Sequence, residues 1–124
     1  MIRFVIPLQP ISKKNSQQIF LNHKTGKPFI APSKKYKEYE RAARWFIPRN
    51  IFINQPCNVK CLFFMKNRQK CDLTNMLEAI DDIMVHAGLL ADDNYTIIRS
   101  HDGSRVLYDK ENPRTEVIIE ILSE

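Results

Sequence analysis

The chain has 124 residues, 44% hydrophobic and 27% charged, the balance of a soluble globular protein rather than a disordered or fibrous one. At that length it forms a single domain (1–124) that buries about 65% of its unfolded-chain surface, enough for a true core. No apolar run approaches the roughly 20 residues of a membrane span, and the apolar start Phe4-Val5-Ile6 is too short for a signal peptide and meets Pro7.

Cys57, Cys61 and Cys71 are odd in number and contain no Cys-x-x-Cys pair, so neither a disulfide framework nor a zinc site is supported. Free thiols fit a reducing cytoplasm. The net charge of +5 conceals a division. Residues 1–71 carry 15 Lys/Arg against two acids, net +13, whereas residues 72–124 carry 4 Lys/Arg against 12 acids, net −8. A metal-dependent enzyme acting on a polyanion needs a basic half to screen phosphates and an acidic half to hold a cation. Charge pairing within the molecule, with no ligand at all, reads the same composition equally well.

Residues 1–8 place Ile2, Phe4 and Ile6 on one side of a strand, and Pro7 and Pro10 drive its exit from the sheet. The polar loop Ser12-Lys13-Lys14-Asn15-Ser16 follows. Such a loop either sits in solvent or grips a phosphate. Ile19-Phe20-Leu21 and Pro28-Phe29-Ile30 flank a Gly-containing turn and predict a hairpin. His23 at its tip has no second ligand nearby and reads as a solvated side chain.

Ser33 is a good N-cap for a helix whose Tyr36, Tyr39, Ala43 and Phe46 face the core. Lys34, Lys37, Arg41 and Arg44 form a basic stripe on another face, which is either the wet side of the helix or a track for phosphates. Trp45 reads as core, with base stacking as the alternative. Pro48 ends the helix. Residues 59–65, with Leu62, Phe63 and Phe64, are apolar enough for a central strand. A basic loop with Lys66, Arg68 and Lys70 then leads directly to Asp72.

The next stretch, residues 72–93, is the most informative. Leu73, Met76, Leu77, Ile80, Ile83, Met84 and Ala87 recur at spacings of three and four, the period of a helix with one buried face. Glu78 and Asp82 lie one turn apart on the opposite face, and Gly88 stands where a left-handed stop is expected. Asp72 precedes the helix and Asp92-Asp93 follow it. Carboxylates gathered without His or Cys suit a hard divalent cation such as Mg²⁺, which takes oxygen ligands and keeps several waters. Residues 95–99, 104–108 and 116–121 read as strands. Together these elements predict an α/β domain of the α+β kind: a mixed sheet with two main helices packed on one side.

Asp72, Asn75, Asp82, Gly88, Asp92 and Asp93 make this stretch resemble the RusA family of Holliday junction resolvases, many of them phage or prophage encoded. The family opens the helix with Asp-x-Asp-Asn and places Asp-Asp after its Gly-containing end. Residues 10–15 are similar, more loosely, to the family's Pro-rich, Ser/Asn-containing first loop. The resemblance implies a RusA-like fold and a homodimeric, Mg²⁺-dependent endodeoxyribonuclease, with Mn²⁺ as an alternative ion, that nicks four-way DNA junctions symmetrically in recombination and repair. It implies a bacterial cytoplasm and no membrane.

By matching position, Asp72 and Asp93 are the implied metal ligands and catalytic carboxylates, with Asp92 beside them. The expected DNA contacts are Lys13, Lys14, Asn15, Lys34, Lys37, Arg41, Arg44, Lys66, Arg68 and Lys70. Two positions depart from the family pattern. Its second opening Asp is Thr74, and the Lys one turn on is Glu78. Residues four apart share a helix face with Cβ atoms roughly 5–6 Å apart, so Glu78 can supply the carboxylate missing at Thr74 and join the metal ligands. Its extra methylene and the N-terminal lean of helical side chains aid that reach, and Thr74 is then free to cap the helix. The alternatives are a solvated Glu78, a catalytically inactive junction or single-strand binding protein, and a nuclease for other branched DNA.

Overall fold

Strict alternation builds the centre of the sheet. In β4 (Cys57–Met65), Cys57, Val59, Cys61, Phe63 and Met65 are buried, while Asn58, Lys60, Leu62 and Phe64 are half-exposed. The computed structural model describes residues 1–13 and 17–123, so the loop residues Lys14 and Asn15 lie outside the described residues. Among the described residues, β1 (Ile2–Ile6), β4, β5 (Ile98–Ser100), β6 (Arg105–Tyr108) and β7 (Arg114–Ile121) form one five-stranded sheet. The path is β1-β7-β4-β5, with β6 also paired to β4. β7 runs antiparallel to β1 and β4, whereas β5 and β6 run parallel to β4, so the sheet is mixed as expected.

Thr115, Val117 and Ile119 of β7 share the buried face with alternate residues of β4. Helices α1 (Lys34–Ala43) and α2 (Leu73–His86) contribute their apolar residues to the same core cluster. Fully burying one such Leu, Ile or Met side chain stabilises the fold by roughly 1.5–3 kcal/mol, so this single cluster dominates stability. The remaining strands, β2 (Gln17–Leu21) and β3 (Pro28–Pro32), form the expected hairpin as a separate antiparallel pair. Its turn uses Gly26 at φ +70, a conformation that favours glycine.

Ser33 caps α1, its Oγ accepting the Tyr36 N–H at 3.1 Å, and Tyr36, Tyr39 and Ala43 are buried as their spacing predicts. Phe46 and Trp45 are not core residues: they are 41% and 71% exposed. The helix tightens into a 3-10 turn over Arg44–Phe46, which advances about 120° per residue instead of 100° and rotates both rings off the buried stripe. Ile47 takes the core position instead, and the Arg49 guanidinium lies 4.8 Å over the Trp45 ring.

α2 ends at Gly88, φ +83, with the Leu89 N–H returning to the Met84 carbonyl at 3.0 Å. Buried Leu89 and Leu90 then lie against Ile53, which exchanges backbone bonds with Leu89 and Ala91 at 2.8 and 3.0 Å. That clamp fixes where Asp92 and Asp93 emerge. The expected strand at 95–99 is shorter and later. The Asn94 carbonyl accepts from both Ile97 and Ile98, and its side chain accepts from Thr96, so local Asn bonding displaces strand pairing up to Ile98. Among the described residues no helix is long and apolar enough to cross a membrane.

Candidate active site

Asp92 and Asp93 lie close enough to Asp81 and Asp82, in the second half of α2, for charges of this group to act on one another. Asp92 and Asp93 are exposed, and the Asp93 N–H donates to Asp92 Oδ1 at 2.7 Å. Loss of surrounding water, the side-chain bond with Asp92 and the negative charges of Asp82 and Asp92 raise the Asp93 carboxyl above its ordinary range. The residue is exposed, so its carboxylate neighbours are the part that a cation would answer. Burial raises the Asp81 carboxyl above its ordinary range, and the negative charges of Asp93 and Asp82 add to that rise.

Lys13 enters this cluster from the first loop. Its Nζ lies 2.8 Å from Asp82 Oδ2 and 5.9 Å from the centre of the Tyr36 ring. The expected phosphate contact is thus placed on an acid of α2.

Asp72 occupies the N-cap position of α2 with extended backbone, φ −95 and ψ 128. Its carboxylate makes no capping bond, and Asn75 Nδ2 donates to its Oδ2 at 3.3 Å. Thr74 lies within the first turn, so the cap position belongs to Asp72 rather than Thr74. Glu78 is exposed one turn before Asp82. Ten residues of helix rise about 15 Å, so Asp72 and Asp82 mark opposite stretches of α2. Asp93 thus shares its electrostatic surroundings with Asp82 and Asp81, while Asp72 stands at the N-terminal end of α2. Among the described residues no three His, Cys, Asp or Glu side chains are gathered around a single metal-sized space. Mg²⁺ commonly needs only one or two protein carboxylates beside water and substrate phosphate, and the mutually repelling Asp92–Asp93 pair fits that requirement.

Sequence reasoning missed Asp81 and His101. Asp81 is 8% exposed and sits on the apolar stripe between Leu77 and Met84, at helical spacings of four and three. An acid at such a position demands a partner, and that was the available signal. The partner is His101, between β5 and β6, whose Nε2 lies 2.8 Å from Asp81 Oδ2. His101 Nδ1 faces the Val59 carbonyl at 2.7 Å. Burial alone would lower the His101 pKa, but the bond and charge of Asp81 and the Val59 carbonyl outweigh it and raise it. Asp81 Oδ1 has no hydrogen-bond partner among the described residues.

Other basic residues lie exposed on α1 and on the loop before α2. Lys34, Lys37, Arg41 and Arg44 are exposed on α1 and the turn after it, and Arg44 pairs with Glu40 at 3.1 Å. Lys66, Arg68 and Lys70 are exposed between β4 and α2, and Arg68 lies 4.2 Å over the Tyr108 ring. His23 is exposed at the hairpin tip, as expected.

Residues 7–120 match the family model described as Endodeoxyribonuclease RusA. A curated relative, the crossover junction endodeoxyribonuclease RusA of Aquifex aeolicus (strain VF5), is 30% identical over 115 residues, covering 90% of this chain and 83% of that protein. The matched span runs from the end of β1 into β7 and so contains both helices, the acidic cluster and the basic loop. On that span and identity, the chain belongs to the RusA endodeoxyribonuclease family.

Proposed function

We propose that this protein is a structure-selective endodeoxyribonuclease that resolves four-way DNA junctions by paired nicks, acting as a homodimer with Mg²⁺ or Mn²⁺. The observation that carries the reading is the Asp92–Asp93 pair, its two residues joined by the Asp93 N–H to Asp92 Oδ1 bond at 2.7 Å, in a chain whose other half is basic. The name of the Aquifex relative supports the junction as substrate. Paired symmetric nicks need two sites, and a domain of this size has room for one, which supports a two-fold dimer.

Asp93 and Asp92 would hold the ion, with Asp72 and Glu78 supplying carboxylates from α2. Bound there, the ion would orient the attacking water, neutralise phosphate charge and stabilise the leaving oxygen. Lys37, Arg41, Lys66 and Lys70 hold the DNA backbone, which positions a junction by shape and phosphate rather than by base sequence. Lys13 offsets the charge of Asp82, and the His101–Asp81 pair anchors α2 to β4 through Val59. A DNA substrate fits a bacterial cytoplasm.

A second reading, a junction-binding protein without cleavage, is favoured by Thr74 in place of the family Asp. Incubating the purified protein with a labelled four-way junction, with and without Mg²⁺, separates the two. Mg²⁺-dependent paired nicks support the nuclease. Tight binding with an intact junction supports the second reading. Parallel digestion of fork, flap and linear duplex shows whether the junction is the preferred branch.

A further inference from the structure

Next to Asp72, the first loop, the start of α1 and the β4–α2 loop enclose a cleft of about 190 Å³. Buried Met65 and Met76 are among its lining residues, and Lys35, Lys66 and Lys70 line it too. The loop that carries two of these lysines is pinned. Gln9 Oε1 accepts the Lys66 N–H at 2.8 Å, and Asn67 Oδ1 accepts the Gln69 N–H at 3.0 Å. No carboxylate lines the cleft. Among the described residues none of its three ammonium groups is in an ion pair.

Three cations around one small space repel one another, and nothing in the lining offsets them. The lining offers ammonium and amide donors, the complement of a group that only accepts hydrogen bonds. The volume equals roughly six liquid waters, which suits a phosphate group and excludes a base pair. Lys35 follows Lys34 on α1 by about 100°, so it leaves the Lys34–Lys37–Arg41 stripe and turns to a different surface.

We infer that this cleft is a phosphate subsite that holds one backbone phosphodiester of the DNA through Lys35, Lys66 and Lys70. It rests on the proposed reading of the protein as a junction nuclease. It joins Lys35 to the backbone contact of Lys66 and Lys70 in one enclosed site, distinct from the Lys34–Lys37–Arg41 stripe, and fixes the register of the strand that passes the Asp72 end of α2.

The test measures binding of a labelled four-way junction without divalent metal, over a salt series, for the wild type, Lys35→Ala and Lys35→Arg. One lost phosphate contact lowers the salt slope by about 0.9. Lys35→Ala is expected to show that loss, and Lys35→Arg to restore the slope. Junctions with single phosphates replaced by neutral methylphosphonate supply the position. One replacement weakens the wild type and has no further effect on Lys35→Ala, the non-additivity of a shared contact. A wild-type slope for Lys35→Ala, or additive losses at every phosphate, overturns the subsite and leaves the nuclease reading standing. If the wild type binds no junction, the nuclease reading falls, and inorganic phosphate titrated at low ionic strength decides the cleft by NMR. Saturable shifts at the Lys35, Lys66 and Lys70 side chains then support an anion site, and their absence overturns it.

Discussion

His101 Nε2 and Asp81 Oδ2 are 2.8 Å apart, while the other ring nitrogen of His101 meets the Val59 carbonyl at 2.7 Å. A neutral imidazole donates from one nitrogen only, and both neighbours here are oxygens. The arrangement is satisfied by an imidazolium between an ionised Asp81 and a backbone carbonyl, which cross-links α2 to β4. His101→Gln removes the charge and one of the two bonds, leaving Asp81 without its cation. The expected loss is about 2–3 kcal/mol of stability near pH 6, read as a lower urea midpoint. A midpoint equal to wild type would show that the pair does not hold α2.

The same pair predicts a pH dependence. The folded pKa of His101 is raised above its ordinary value of about 6.5, so its stabilisation is complete below that value and fades as pH rises through the higher folded one. Burial raises Asp81 as well, with the same sign. Asp109, held below the ordinary carboxylate range by Arg114, acts with opposite sign and in acid. Stability is therefore expected to fall as pH rises from about 6.5 through the raised folded pKa of His101, and His101→Gln to flatten that fall. Equal slopes in both proteins would remove His101 from the explanation.

At Asp93, replacement by Asn removes a negative charge from the most crowded carboxylate position. Cleavage of a four-way junction is expected to vanish, and junction binding to stay equal or tighten because repulsion of phosphate falls. Near wild-type cleavage by Asp93→Asn would contradict the proposed metal ligands.

Glu78 and Thr74 are compared directly at saturating Mg²⁺. Glu78→Gln is expected to lose most cleavage with fold and binding unchanged, and Thr74→Ala to lose little. The reverse order would assign the function to Thr74. Activity retained by both would mean that Asp72, Asp92 and Asp93 suffice.

On α1, Lys37→Ala combined with Arg41→Ala is expected to weaken junction binding and lower the salt slope by about 0.9 for each lost phosphate contact. An unchanged slope would place the DNA on another surface. The variant melting profile should match wild type, since both side chains are exposed.

α2 is legible in the sequence because a buried face repeats within each turn, and Met76, Ile80, Ile83 and Met84 carry that period by themselves. Gly88 and Ser33 are legible for the same reason: a left-handed stop and an N-cap act on backbone only a few residues away. The place of β4 inside the sheet followed from its apolar composition. At Phe46 the period misled, since a 3-10 turn changes the rotation per residue without a mark that the sequence displays.

The Lys13–Asp82 contact spans 69 positions and the His101–Asp81 contact spans 20. Neither follows from spacing, because each depends on which strands neighbour in the sheet and where the helix crosses them. The parallel placement of β5 and β6 on β4 carries the segment between them, with His101, to the buried side of α2. Local periodicity thus settled which helix carries the acids. Sheet order and helix packing decided which acids meet, because charges far apart in the chain interact only where the fold closes the distance.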